Sequence, residues 1–346
     1  MTSRPRVAAP LILGAVVVAS AFAACGSAQG RSATSAGPPG AARAGASAVP
    51  SVQPCGVAAP EILARTVGLV ATRIYANELS SSEVFRDQRQ VEGFPPLLSA
   101  LASGNRSGVR EAVKSLVFSH THVVRLRVTR GGEVLADVGG PEILAPVSGS
   151  LRRGGRTVGH YVLSVQDDLG YVKLVARFTG VPLVLREGSR TLPVAGAVSP
   201  GPASIPAHGP VAYRGRTYEA FSLDARAFPA GALRISLLVP VPAGLSHSSC
   251  GEIKVTELGD VARRISRRFV LSPANFSSYI KATAPLTGGL LYIRSGSRQL
   301  AGSTHPGPAG LPDRGTVSYR GATYGVFSFT TTTEVGRVRI YQLVQP

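Results

Sequence analysis

Two histidines and two arginines stand close together in the middle of the sequence. His120 and His122 are two residues apart, so on a β-strand their side chains share one face. Arg125 and Arg127 continue the alternation, and together the four side chains form a cationic cluster of the kind that binds a carboxylate or a phosphate. A metal-binding histidine pair and a solvated basic strand face are the alternatives, and no nearby Cys or carboxylate completes a metal site. We take these four residues as candidates for binding a small anionic metabolite.

Two of the three cysteines have similar surroundings. Cys55 and Cys250 each stand directly before a glycine and just ahead of a helical pattern. If Cys25 is used at the N-terminus, these two remain as an even pair, which an oxidising compartment favours as a disulfide. Two buried free thiols are the alternative. Neither a CxxC motif nor a Cys/His spacing typical of metal sites occurs, so the sequence predicts a structural role for both.

Motifs of catalytic sites are few and incomplete. Ser278 and Lys281 have the SxxK spacing of penicillin-interacting enzymes, but the companion motifs of those enzymes are missing. No GxSxG, Walker or HExxH motif occurs. Asp167 and Asp168, followed by Leu-Gly, are interpreted as a hairpin turn. We therefore predict a protein that is not an enzyme and that carries no cofactor.

The composition indicates a globular protein with a strong positive field. The 346 residues include 37 Lys and Arg against 19 Asp and Glu, a formal charge of +18, and 44% of the residues are apolar. That apolar fraction supports packed cores. The positive charge attracts acidic wall polymers and anionic lipid head groups. Nucleic acid would suit the charge, but the export signal described next argues against it as a partner.

The first 25 residues are typical of an export signal. Arg4 and Arg6 precede an uncharged apolar run at 11–24 that is too short for an ordinary membrane-spanning helix. The sequence Phe-Ala-Ala-Cys-Gly at 22–26 resembles the lipobox of bacterial lipoproteins, with Phe22 where leucine is usual. The resemblance implies a signal peptide at 1–24, acylation of Cys25 and anchoring on the extracytoplasmic face of the cell membrane. A plain secretory signal is the alternative. Residues 25–54, rich in Ala, Gly, Ser and Pro, are predicted to form a flexible linker.

Three parts of the chain share one order of sequence blocks. Residues 183–190 match 291–298, and residues 211–222 match 317–328 at nearly the same offset. A weaker copy begins near residue 126. Each copy consists of a strand, a Gly turn, a short strand, a Pro/Gly-rich loop and two longer strands, which indicates internal duplication. Polar and apolar residues alternate in the longer strands, and this pattern predicts half-buried antiparallel sheets.

Helical patterns precede two of these copies. One long helix has an apolar stripe from Leu63 to Ile74, and shorter helical patterns follow at 95–102 and 109–118. The second long helix carries its stripe between residues 258 and 269. Its arginines, interpreted as a solvated basic face, are Arg263, Arg264, Arg267 and Arg268.

This order of a long helix, shorter helices and an antiparallel sheet resembles the extracytoplasmic Cache sensor domains, which are PAS-like. The resemblance covers about residues 59–180. It rests on the strand, glycine turn and strand at 123–137 and on the segment at 155–165, which resembles the family's central strand. In that family small carboxylates or amino acids bind between the central strands and the loop above them, which adds Tyr161 to the candidate binding residues. The resemblance implies an α+β fold with PAS/Cache-like antiparallel sheets, a long N-terminal helix and two related domains.

Two domains and two alternative functions follow from these observations. We expect a Cache-like α+β domain at 55–180 and a second α+β domain, containing two copies of the β repeat, at 181–346. A division near residue 245 is the alternative. The predicted function is that of a lipid-anchored extracytoplasmic protein that binds a small anionic ligand and presents it to a membrane or envelope partner. The alternative is a non-enzymatic envelope protein that mediates protein–protein or cell-wall contacts.

Overall fold

The computed structural model describes residues 53–119, 122–140, 143–229 and 231–346. The predicted signal peptide, Cys25, nearly all of the linker and His120 lie outside these ranges. Within them, the α-helices are α1 (Ala59–Ser80), α2 (Ser82–Glu92), α3 (Pro95–Ser103), α4 (Arg106–Ser119), α5 (Asp168–Thr179), α6 (Cys250–Ser266) and α7 (Phe276–Thr287).

The strands form three antiparallel sheets. Sheet A has the order β2-β1-β5-β4, and its strands are β1 (Arg125–Arg130), β2 (Glu133–Gly139), β4 (Val147–Arg153) and β5 (Arg156–Ser164). Sheet B has the order β6-β3-β10-β11-β7-β8, with β9 also paired to β10, and its strands are β3 (Ile143–Leu144), β6 (Gln166–Asp167), β7 (Leu183–Glu187), β8 (Arg190–Thr191), β9 (His208–Tyr213), β10 (Arg216–Phe228) and β11 (Gly231–Pro240). Sheet C has the order β13-β12-β16-β15-β14, and its strands are β12 (Leu290–Ser295), β13 (Arg298–Gly302), β14 (Arg314–Tyr319), β15 (Ala322–Thr333) and β16 (Gly336–Val344). The predicted α+β class with antiparallel sheets is confirmed.

Helices α1 and α6 pack on sheets B and C in the same way. Gly68 of α1 lies so close to Phe221 of β10 that an added Cβ would be 2.2 Å from the ring. Gly259 of α6 has the same relation to Phe327 of β15, also at 2.2 Å. A residue without a side chain is therefore required where each long helix crosses its sheet.

A second pair of contacts repeats this correspondence. The buried hydroxyl of Tyr171 in α5 donates to the carbonyl oxygen of Ala71 in α1 at 3.0 Å. The buried hydroxyl of Tyr279 in α7 donates to the carbonyl oxygen of Ala262 in α6, also at 3.0 Å. The described chain thus contains two similar helix–sheet units: α1 and α5 with sheet B, and α6 and α7 with sheet C.

Sheet A and helices α2, α3 and α4 are inserted between α1 and α5 and have a core of their own. That core includes Leu97, Leu116 and Leu126. The stripe of α1 faces the other, larger core, which it shares with α5, α6, α7 and strands of sheets B and C. Although α1 was expected to belong with the strands of sheet A, its apolar face is buried against sheet B because the chain returns to α1 after the insertion.

The predicted disulfide between Cys55 and Cys250 is present, with the two Cα atoms 4.8 Å apart. It joins the chain just before α1 to the first residue of α6. The backbone N–H of Cys55 also donates to the carbonyl oxygen of Ser248 at 2.8 Å. The two units are therefore fastened together where their long helices begin.

The interpretation of Asp167 and Asp168 as a hairpin turn is wrong. The Asp167 side chain accepts a hydrogen bond from the backbone N–H of Gly170 and caps the N-terminus of α5. Aspartate is favoured both in turns and at helix N-caps, so the same residues suit either structure. Measured over the described ranges, no helix combines the length and the apolar character that crossing a membrane requires.

Candidate functional site

The predicted arginine pair is occupied by partners within the chain. Arg125 Nε donates to Asp137 Oδ1 at 2.8 Å, and Arg127 Nη2 donates to Asp137 Oδ2 at 2.6 Å. These hydrogen bonds, led by that from Arg125, hold the pKa of Asp137 below its ordinary value. Both guanidinium groups also lie over the ring of Phe228, with Cζ 5.0 Å and 4.2 Å from the ring centre. Their charge is used to join sheet A to β10.

The other predicted binding residues do not join this pair. His122 lies before β1 instead of within a strand, and its Nδ1 is 2.5 Å from Glu83 Oε1 in α2. Tyr161 is paired with Val128 in the sheet and therefore lies on the face opposite to Arg127. Its buried hydroxyl donates to Glu92 at 2.7 Å and accepts from Gln88 at 3.2 Å, and burial raises its pKa. The structure does not bring His122, Tyr161 and the arginine pair together as one binding site.

A groove of about 920 Å³ lies where the two helix–sheet units meet. It is bounded by α1, the end of α5, the end of β11, α6 and strands β14 and β15. Grooves of this size with apolar walls and a few converging polar groups are the usual place for small-molecule binding. Apolar side chains that line it are Leu63, Val67, Val181, Val239 and Val326.

Helix α6 contributes a polar stripe to this groove. Glu252, Thr256, Asp260 and Arg264 recur at every fourth position and all line it. Residues at this spacing lie on one face of a helix. The Ser249 side chain accepts from the N–H of Glu252 at 3.1 Å and caps the helix at the rim of the groove.

A partly buried ion pair lies in the groove. Arg264 Nη1 donates to Glu257 Oε1 at 3.1 Å and also approaches the carbonyl oxygen of Phe178 at 3.4 Å. Burial raises the pKa of the Glu257 carboxyl, against the opposing effect of Arg264. Asp260 is paired with Arg263, whose Nη2 is 2.8 Å from Oδ1. The groove thus contains both a negatively charged hydrogen-bond acceptor and a positively charged hydrogen-bond donor.

The opposite rim is formed by Arg314 of β14. Its Nη1 is 3.5 Å from the Thr256 hydroxyl, and its Cζ lies 3.8 Å from the centre of the Phe327 ring. The groove therefore contains the carboxylates of Glu252, Glu257 and Asp260 and the guanidinium groups of Arg264 and Arg314.

Two of these charges, those of Glu257 and Asp260, occur in only one of the two similar helices. If Gly68 is matched with Gly259, Arg73 takes the position of Arg264, and it likewise donates to a helix-end carbonyl, that of Leu286 in α7, at 3.1 Å. At the positions of Glu257 and Asp260, however, α1 has Thr66 and Leu69.

Sequence reasoning missed this site because it compared only the strands of the repeats. An alignment of α1 with α6 would have shown that the carboxylates of Glu257 and Asp260 occur only in α6. Arg264, interpreted as part of a solvated basic face, has a side chain only 30% exposed that lies in the groove.

No set of three or more His, Cys, Asp or Glu side chains in the described part of the chain could hold a metal ion.

Comparison with known proteins finds similarity only at the level of structure. No family model matches the chain, and no curated protein matches it. The ligand-binding domain of the Pseudomonas fluorescens chemoreceptor CtaA in complex with L-alanine is 11% identical, with a TM-score of 0.31 over 53% of this chain and 97% of that domain. The periplasmic domain of Vibrio cholerae LuxQ is 12% identical, with a TM-score of 0.27 over 53% of this chain and 96% of that domain. The chain is similar to these two domains in its mixture of helices and antiparallel sheets.

Proposed function

We propose that the protein binds a small ligand in the groove beside α6, and that it acts by binding and not by catalysis. The observation that carries this proposal is the Glu257–Arg264 pair, which lies in a groove of about 920 Å³ with apolar walls. An ion pair away from bulk water interacts strongly with charged groups that enter beside it. Such a pair can orient a small molecule while the apolar walls supply contact area.

The charges of the groove favour a ligand of mixed charge over a simple anion. Three carboxylates and two guanidinium groups line it, so an anion would meet more negative than positive groups. A molecule with an amine and an acidic group can pair with both kinds of side chain. Amino acids and short peptides therefore come before plain carboxylates in a ligand screen.

We further propose that the protein is exported and anchored by acyl chains on Cys25, and that it presents the ligand to a membrane or envelope partner. The sequence resemblance at 22–26 supports the anchor, and the Cys55–Cys250 disulfide suits an oxidising compartment. Mass spectrometry of the purified mature protein tests the anchor directly. A mature N-terminus without acyl groups would overturn this part of the proposal.

The binding proposal is tested by a thermal-shift screen of amino acids, short peptides, amines and carboxylates against the disulfide-bonded protein. A hit is then measured by calorimetry with the double variant Glu257→Gln, Arg264→Met. This variant removes both charges at once, so neither partner is left buried and unpaired. We expect the double variant to keep its fold, shown by circular dichroism, and to lose most of its affinity.

A matched control is available on α1. Glu61 occupies the position that corresponds to Glu252 of α6, but it lies outside the groove. We expect Glu252→Gln to weaken binding and Glu61→Gln to leave it unchanged. If no compound raises the unfolding midpoint, or if the double variant binds the hit as tightly as the natural protein does, the proposal is wrong.

A further inference from the structure

The hairpin turns at one end of sheet A enclose a second, smaller cleft. The turn between β1 and β2 and the turn between β4 and β5 lie side by side, because β1 and β5 are antiparallel neighbours with Thr129 opposite His160. The cleft between them measures about 430 Å³. The side chains that line it with polar or charged groups belong to Arg130, Arg153, Arg156, Thr157 and His160.

The arginines of this cleft repel one another. Arg153 and Arg156 are direct cross-strand partners at the end of the β4–β5 ladder. Like charges directly opposite each other destabilise a sheet. Neither residue forms an ion pair with a carboxylate of the described residues. A bound anion would relieve this repulsion.

The third arginine is held in place without being neutralised. Arg130 Nη1 donates to the carbonyl oxygen of Leu101 in α3 at 2.9 Å. Glu133 is opposite Arg130 in the ladder, but its carboxylate is bonded to Arg106. The positive charge of Arg130 therefore remains available beside that of the other two.

In the matching hairpins of sheets B and C, an arginine of the turn packs over a tyrosine ring. Arg214 lies over the ring of Tyr213 at 5.1 Å in sheet B, and Arg320 lies over the ring of Tyr319 at 5.2 Å in sheet C. At the corresponding turn of sheet A, Arg153 stands in the position of these tyrosines, directly opposite Arg156, and Gly154 stands in the position of Arg214 and Arg320. Sheet A thus places two arginines opposite each other where sheets B and C have a tyrosine covered by a turn arginine.

We propose that this cleft binds the phosphate group of a phosphorylated small molecule. Guanidinium groups match phosphate oxygens with two parallel hydrogen bonds each. Three arginines carry more charge than one carboxylate would balance, and the Thr157 hydroxyl supplies a further donor. The proposal does not depend on the groove beside α6, because the two sites share no residue.

Calorimetry with sodium pyrophosphate, at constant ionic strength with sodium chloride as the balancing salt, tests the proposal. The variant to compare is Arg153→Ala, Arg156→Ala in the disulfide-bonded protein. Hydrogen bonds to charged groups are worth enough that we expect the double variant to lose affinity by tenfold or more, that is by about 1.4 kcal/mol or more. Both side chains are exposed, so the unfolding midpoint should not fall.

The matched control is Arg216→Ala. Arg216 is an exposed arginine in the same Gly-Arg-Thr sequence at a hairpin of sheet B, outside the cleft. We expect this variant to bind pyrophosphate within about twofold of the natural protein, since it removes one exposed positive charge but no contact in the cleft.

A second arm distinguishes a free ligand from a lipid. Vesicles of phosphatidylcholine with phosphatidylglycerol are floated with the natural protein and with both variants, prepared without acyl chains. Flotation that the double variant loses and Arg216→Ala retains would assign the cleft to a lipid phosphate. No flotation, with pyrophosphate bound as expected, would assign it to a soluble phosphorylated molecule. The proposal is overturned if neither probe binds, or if the double variant and Arg216→Ala weaken binding equally.

Discussion

We expect the half-buried carboxyl group of Glu78 to make the folded protein less stable as the pH rises. The residue lies near the C-terminal end of α1, where the helix dipole already disfavours a negative charge. Burial, with a smaller effect from the nearby carboxylate of Glu83, raises the pKa of Glu78 from its ordinary value of 4.5 to about 7. The folded state thus holds this proton more tightly than the unfolded chain does.

The size of the effect follows from linkage. Below about pH 4.5 the carboxyl is protonated in both states and costs nothing. As the pH rises from there to about 7, the unfolded chain ionises first, and the folded state loses stability relative to it. The full difference between 4.5 and about 7 amounts to at most about 3 kcal/mol, since the side chain is partly accessible to water.

Glu78→Gln removes the ionisation and keeps the shape of the side chain. We expect the variant to match the natural protein near pH 4 and to be more stable by up to about 3 kcal/mol near pH 8. Urea unfolding followed by circular dichroism across this range measures the difference directly. Glu61→Gln is the control on the same helix. The Glu61 side chain is 46% exposed and pairs with Arg65 at 2.5 Å, so its loss should lower stability by less than about 1 kcal/mol. A difference between Glu78→Gln and the natural protein that stays constant with pH, or that grows as the pH falls, would refute the reasoning.

Three further changes test the packing. Replacing Cys55 and Cys250 by serine removes a link between residues 195 positions apart, so we expect a loss of up to about 5 kcal/mol, measured by urea unfolding against the natural protein with and without reductant. Gly68→Ala and Gly259→Ala each force a methyl group against a phenylalanine ring, and each should cost about 1–3 kcal/mol in the same assay; a neutral result at either position would contradict the close helix–sheet approach. Tyr161→Phe removes the hydrogen bonds of a buried hydroxyl to exposed Glu92 and half-buried Gln88, so it should cost about 0.5–1.5 kcal/mol yet leave ligand binding in the groove unchanged; weaker binding with normal stability would restore Tyr161 as a binding residue.

The parts of the fold that the sequence predicted correctly have local causes. Glycine turns and alternating apolar residues gave the hairpins of all three sheets, and the 3.6-residue period gave α1 and α6. The disulfide could be anticipated because Cys55 and Cys250 each precede a glycine and a helical pattern, and because they form an even pair once Cys25 is set aside. The sheet on which α1 packs could not, because that choice depends on contacts between residues far apart in the chain.

The candidate site could not be predicted from the sequence either, because it depends on contacts between elements far apart in the chain. Alternation along one strand placed Arg125 and Arg127 together correctly, but it could not show that Asp137, on the next strand, pairs with both. The groove beside α6 is made by elements that meet only in the folded protein. A comparison of α1 with α6 would have shown the two added carboxylates, though not the walls that surround them.

The contacts of Arg73 and Arg264 link the unfolding of the two helix–sheet units. Arg73 in the first unit reaches the end of α7 in the second, and Arg264 in the second reaches the end of α5 in the first. Each helix–sheet unit therefore donates a hydrogen bond to a carbonyl group at the C-terminal end of a helix in the other unit. We infer that neither unit folds stably without the other. We expect α1, α5, sheet B, α6, α7 and sheet C to melt in one cooperative step, and proteolytic release of either half to yield an unstable fragment.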